Sequence, residues 1–300
     1  MVYEKRSGIC IILGLVIKVI MGVIVLFDMV MFAYALLEYY YDLPFKEKAI
    51  VSTVRLPPEA VPVNRSVILI HGFVGSPLDF SSLPHLLAQQ GFNVVVPVMP
   101  SQNHTAFAYG RGSCSPEFYL SYMRKIIDEE TRRYGVKPYL VGFSMGGTLA
   151  GILAAEGGVD KVVLMAPFFG LAVYNRLVHG MLTVMKWICP LVPKVKRGMI
   201  DDPSGYASYR PGSYIISLAA FLNLQNLVAT AREKAGEIRV PALVIASPGD
   251  VVASYDRIME MINTGPETMK LLTVQKSNHI LLFDYERDTV QGAVLSFLEP

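Results

Sequence analysis

One serine is set between glycines in "GFSMG", Gly142 to Gly146, directly after the apolar run Tyr139-Leu140-Val141 and directly before Thr148-Leu149-Ala150. A strand that runs into a helix through so sharp a turn lifts the serine hydroxyl clear of the chain, at the positive end of the helix. Side chains two positions before and after it would collide, which accounts for glycine at 142 and 146. Ser144 is therefore the candidate nucleophile. The Met145 N–H, at the first helical position, is the candidate donor to an oxyanion.

A serine hydroxyl needs a base, and the base needs a carboxylate to orient it. On a strand–turn–helix nucleophile the acid and then the histidine follow in chain order. Downstream of Ser144 there are two histidines, His179 and His279. His279 follows the apolar run 270–274 and a short "QKSN" turn, which puts it on a loop at a strand's carboxyl end. His179 lies in a stretch without strands and reads as a surface or pocket residue. The acid should end the preceding strand, and "PALVIASPGD" delivers Asp250 there. Asp201 and Asp202 fall in the strandless stretch, Asp256 on the following helix, and Asp284 reads as a cap for the last helix.

A second oxyanion donor is expected from the loop after an early strand. "VILIHGFVGSP" supplies it, with glycines that let the backbone close on a developing charge and Phe73 N–H as the donor. His71 precedes the serine and reads as packed rather than catalytic. His104, in "PSQNHT", lies on the loop after the run 93–96, near the expected crevice.

The elements that must hold these residues are short apolar runs alternating with amphipathic ones. Strands are expected at 66–70, 93–96, 139–141, 161–165, 242–246 and 270–274, and helices at 79–90, 116–134, 145–155, 254–262 and 284–298. That alternation predicts a mainly parallel sheet covered by helices on both faces, with the site at the carboxyl ends of the strands. From about 168 to 235 no strand is legible, and a cap or lid insertion is expected there, a pair of ordinary packing helices being the other reading. "RLPPEAVPVNR" reads as a proline-broken approach to the globular body, taken as 43–300.

Residues 1–42 are different. Lys5 and Arg6 precede an apolar stretch interrupted by Lys18 and Asp28, and Glu38-Tyr39-Tyr40-Tyr41-Asp42 closes it. Its length suits a membrane-spanning helix. The charge bias predicts the N-terminus inside and the catalytic body extracytoplasmic, with a cleaved signal peptide and a secreted protein as the alternative. The 27 basic and 25 acidic residues leave a net charge of +2, without the clustered basic excess a nucleic acid partner requires. Cys10, Cys114 and Cys189 have no metal-ligand spacing, so no metal site is expected; Cys114 and Cys189 would pair only in an oxidising compartment.

The segments "HGFVGSPLDFSSLPHLLAQQGFNVVVPVMP", "VGFSMGG", "PALVIASPGD" and "SNHILLFDYERDTVQGAVLSFLE" resemble the α/β-hydrolase superfamily, and more narrowly its monoacylglycerol lipase and small bacterial carboxylesterase group. The chain departs from that group where "PSQNHT" stands in place of Gly-His-Gly. The resemblance implies an α/β-hydrolase fold and Ser144, Asp250 and His279 as catalytic residues. It also implies Phe73 and Met145 as oxyanion donors, and no cofactor. The expected activity is ester hydrolysis through an acyl-enzyme, as a carboxylesterase or a monoacylglycerol or lysolipid lipase. Phe168, Phe169, Leu171, Trp187 and Leu191 would cover an acyl chain, and Lys186, Lys194, Lys196 and Arg197 would face anionic headgroups. A thioesterase, amidase or acyltransferase on the same residues remains an alternative, as does a membrane-anchored binding protein without turnover. The natural substrate and the oligomeric state are not legible.

Overall fold

Strands buried on both faces read as near-continuous apolar runs, and Ser66–Ile70 (β2), Tyr139–Phe143 (β4) and Ala242–Ala246 (β8) are buried throughout. With Val54–Leu56 (β1), Asn93–Val96 (β3), Lys161–Met165 (β5) and Met269–Thr273 (β9) they build a seven-stranded sheet of order β1-β3-β2-β4-β5-β8-β9. All neighbours pair in parallel except β1, which runs antiparallel to β3 at the edge. The computed structural model describes residues 53–100, 115–171, 176–188, 191–194, 198–213 and 215–299, together with scattered helical residues between 14 and 33.

The period of two along each strand divides the core. Ile68, Ile70, Leu140, Leu164 and Val244 face one side, under helices α2 (Pro116–Tyr134), α3 (Met145–Ala155), α6 (Leu218–Lys234) and α7 (Tyr255–Thr264). Val67, Leu69, Val141, Val163 and Ile245 face the other, under α1 (Leu83–Gln89) and α8 (Arg287–Leu298). This is the α/β class with a mainly parallel sheet flanked by helices that the sequence predicts.

Between β5 and β8 lie α4 (Arg176–Ile188), α5 (Pro203–Ser208) and α6, with two strands of three residues each, Leu191–Pro193 (β6) and Ile215–Ser217 (β7), paired antiparallel. Strands this short carry too little period to be read from sequence. Helix α4 packs on α6, and α6 packs on α3.

Three expectations are corrected. The helix expected from Asp79 is two pieces, a 3₁₀ turn at Pro77–Phe80 and then α1, broken where Ser81 takes φ +49°. The last helix starts at Arg287, and Asp284 does not cap it. The approach segment contains β1, whose brevity hid it. No helix among the described residues is long and apolar enough to cross a membrane. Most of 1–42, where the anchor is expected, lies outside the described residues, as do His104, Lys196, Arg197 and all three cysteines.

Candidate active site

Ser144 holds φ +54°, ψ −117° between β4 and α3, a conformation that costs an L-residue free energy and is kept by the packing around it. Its N–H donates to Met165 O of the neighbouring strand at 2.9 Å, and its carbonyl accepts from Thr148 N at 3.1 Å and Phe168 N at 3.1 Å. A Cβ at Gly142 would stand 2.2 Å from Gly146 O. The collision inferred from the motif is therefore present on the helix side of the turn.

His279 Nε2 lies 3.0 Å from Ser144 Oγ, and His279 Nδ1 lies 2.8 Å from Asp250 Oδ2. Asp250 spends its other oxygen, Oδ1, on the Val252 and Ala253 N–H groups at 2.7 and 2.8 Å. Only 6% of Ser144 and 3% of His279 is exposed. The structure thus brings the three residues singled out in the sequence into one buried hydrogen-bonded chain. With the proton on Nδ1, Nε2 is placed to accept the serine proton and Asp250 to stabilise the resulting imidazolium.

Phe73 and Met145 line a small cleft walled by Pro116, Tyr119, Ala220, Asn223, Leu224 and Leu227. Two segments far apart in sequence, the turn after β2 and the start of α3, therefore face one apolar space supplied by α2 and α6.

The other histidines and acids fall elsewhere. His71 is fully buried, its Nε2 accepting from Met99 N at 3.0 Å and its Nδ1 donating to Gly72 O at 2.9 Å. Burial holds its pKa below the ordinary histidine value, as suits a neutral ring pinning the loop. His179 is exposed on α4. Asp202 caps α5 and pairs with Arg287 at 2.8 Å, and Asp256 sits in the first turn of α7. Phe168 and Phe169 belong to the core under the sheet rather than to a covering surface, and Trp187 is 82% exposed. Lys194 is buried, not turned toward a headgroup.

Two residues that sequence reasoning missed hold the base. Asn278 Oδ1 accepts from Val251 N at 3.2 Å and His279 N at 2.9 Å, tying the acid's turn to the histidine's. Asp284, read as a helix cap, is fully buried. Its Oδ1 accepts from Asp202 N and Tyr285 N, and its Oδ2 from Asp201 N and Asn278 N. Replacing it with asparagine would turn an NH₂ group toward two N–H donors. Asp284→Asn is expected to lose about 2–4 kcal/mol of stability, since each buried donor left unmatched costs roughly 1–3 kcal/mol. Calorimetry should show the thermal midpoint falling by about 5–15 °C; an unchanged midpoint would refute this account.

The family model described as serine aminopeptidase, S33, matches residues 62–286. A thermostable monoacylglycerol lipase of Bacillus sp. (strain H-257) is 23% identical over 251 residues, covering 77% of this chain and 89% of its own. A metagenome-derived lipolytic enzyme superposes with a TM-score of 0.72 at 18% identity, over 83% of this chain and 98% of its own. The monoacylglycerol lipase of Paleococcus ferrophilus does so with a TM-score of 0.68 at 18% identity, over 82% and 97%. These likenesses establish the α/β-hydrolase fold.

Proposed function

The chain belongs to the serine aminopeptidase S33 family, and from that premise we propose that it hydrolyses carboxylic esters through a Ser144 acyl-enzyme. The observation that carries this reading is the unbroken chain from Ser144 Oγ through His279 to Asp250, with Met145 directly after the nucleophile and lining a small cleft together with Phe73. His279 takes the serine proton as Oγ attacks the ester carbonyl, and the Phe73 and Met145 N–H groups hold the tetrahedral oxyanion. His279 returns the proton to the leaving alkoxide. Water, activated by the same imidazole, then releases the acid. No step calls for a cofactor.

An ester of a lipid fits better than an amide of a peptide. Carboxylates are the ordinary partners of a substrate's terminal ammonium, and none is among the described residues lining the cleft at Phe73 and Met145. The walls are mostly apolar, with Asn223 and the Tyr119 hydroxyl as their polar groups, which suits an acyl chain. Insertion helix α4 adds an exposed stripe, Met181, Val184 and Trp187, with the Lys186 ammonium 5.5 Å from the Trp187 ring. An amphipathic face of that kind rests well on a lipid surface. The relative in Bacillus is named a monoacylglycerol lipase. A monoglyceride or lysolipid is the proposed substrate class, with the insertion at about 168–235 as the cap over the acyl chain. Residues 1–42 are proposed as an anchor with the body extracytoplasmic. A reporter fused after Pro300 that signals from the cytoplasm would overturn that orientation.

The test is a ladder of p-nitrophenyl esters from acetate to palmitate, with fluorophosphonate labelling alongside. Turnover peaking at medium or long chains, and loss of both turnover and label in Ser144→Ala, is the expected result. Turnover confined to the shortest esters would overturn the lipid preference. A folded wild-type chain that neither turns over nor takes the label would overturn the hydrolase reading.

A further inference from the structure

The turn that carries Phe73 is gripped from outside the sheet. Gly75 N donates to Gly72 O at 3.1 Å, closing a four-residue turn whose third residue, Val74, holds φ +48°. That position of a turn favours glycine, and a β-branched residue there is strained. Something must keep it there.

Three side chains or backbone groups of the insertion do so. Lys194, which follows β6, sends Nζ to Phe73 O at 3.3 Å and Val74 O at 3.4 Å. Ser213 N donates to the same Val74 carbonyl at 3.0 Å. Tyr209 OH donates to Asp79 Oδ1 at 3.2 Å, while Asp79 Oδ2 accepts from Gly72 N, the first residue of the turn, at 3.1 Å. Lys194 is only 8% exposed and Asp79 only 2%. A buried amino group is costly unless it is hydrogen-bonded and faces an opposite charge. Here the two turn carbonyls and the nearby Asp79 carboxylate meet that need, and burial alone pulls the Lys194 pKa down.

We propose that Lys194 is a positioning residue for the oxyanion turn, its amino group holding the strained Phe73–Val74 peptide so that the Phe73 N–H faces the cleft. The proposal rests on the ester-hydrolase reading above. It gives the insertion a second task besides covering the acyl chain: without its lysine the turn relaxes, and the oxyanion loses a donor placed in advance. Val74, rather than a glycine, makes the turn dependent on that grip.

The test compares wild type, Lys194→Met and Lys194→Met/Val74→Gly, with Ser144→Ala as blank, on the p-nitrophenyl ester wild type hydrolyses best. Thermal midpoints are recorded in parallel. Misplacing one oxyanion donor should lower kcat by about 10- to 100-fold in a folded Lys194→Met chain, with KM within about twofold. Glycine at 74 accepts the positive φ unaided, so the double variant should recover a substantial part of the lost kcat; a purely structural lysine would show no such rescue. Unchanged kcat in folded Lys194→Met, or a loss the glycine does not relieve, overturns the proposal. If Lys194→Met does not fold, Lys194→Gln is read in its place, and unchanged kcat there overturns it equally. A wild-type chain inactive on every ester overturns the ester reading and this proposal with it, whereas an active wild type beside an unaffected variant overturns this proposal alone.

Discussion

Asp250→Asn lowers kcat about 10⁴-fold while leaving KM and the thermal midpoint close to wild type, the size of loss expected when a catalytic histidine is held in the wrong tautomer. The two oxygens of Asp250 have different partners. Oδ1 accepts two backbone N–H groups, from Val252 and Ala253, at 2.7 and 2.8 Å. An asparagine must keep its carbonyl oxygen there, because an NH₂ group would face two donors in a buried turn. Its NH₂ therefore faces His279 Nδ1, the atom Asp250 Oδ2 now meets at 2.8 Å. Nδ1 becomes the acceptor, and the ring proton moves to Nε2, which points at Ser144 Oγ from 3.0 Å. A nitrogen that already carries a proton cannot take the serine's. Steady-state rates and the fluorophosphonate labelling rate should fall together. A kcat within tenfold of wild type would mean that His279 is not the base.

What the sequence disclosed is what short range encodes. The glycines around Ser144, the buried strand runs and the turns ending at Asp250 and His279 are each set by neighbours within a few positions. Two of those side chains meet across 135 residues and two across 29, and only the chain order of nucleophile, acid and base linked them beforehand. The supporting polar groups have no such rule. Lys194 reaches Val74 across 120 residues and Tyr209 reaches Asp79 across 130. Nothing near either lysine or tyrosine distinguishes it from a surface residue. A basic cluster in an apolar stretch reads as a face for anions, and the fold instead draws Lys194 inward because the turn after β2 offers it carbonyls and a carboxylate. Asp284 reads as a cap for a related reason. An acid just before a helix is ordinarily a cap, and only the fold brings the 201–202 backbone against it.

Gly146→Ala should be the most damaging single methyl group near the site. Its Cβ would stand 1.9 Å from Ile70 O, 2.6 Å from Ile70 C and 2.8 Å from His71 O. All of these are backbone atoms, and Ile70 belongs to β2, which is paired on both sides, with β3 and β4. The strand cannot yield, so the start of α3 must withdraw, and Ser144 and Met145 withdraw with it. Forcing a group into so tightly packed a contact costs about 3 kcal/mol or more, read as a fall of roughly 6–12 °C in thermal midpoint. Whatever fraction remains folded should also have lost kcat, since nucleophile and oxyanion donor ride on the displaced turn. Gly151, on the same helix, is the control. A Cβ there meets only Leu164 Cδ1, at 3.9 Å. Gly151→Ala should therefore be neutral or stabilise by about 0.5–1 kcal/mol, through the better helix propensity of alanine. Equal midpoints for the two variants would show that α3 can retreat from β2 at little cost, and that closeness to the strand is not what requires glycine at 146.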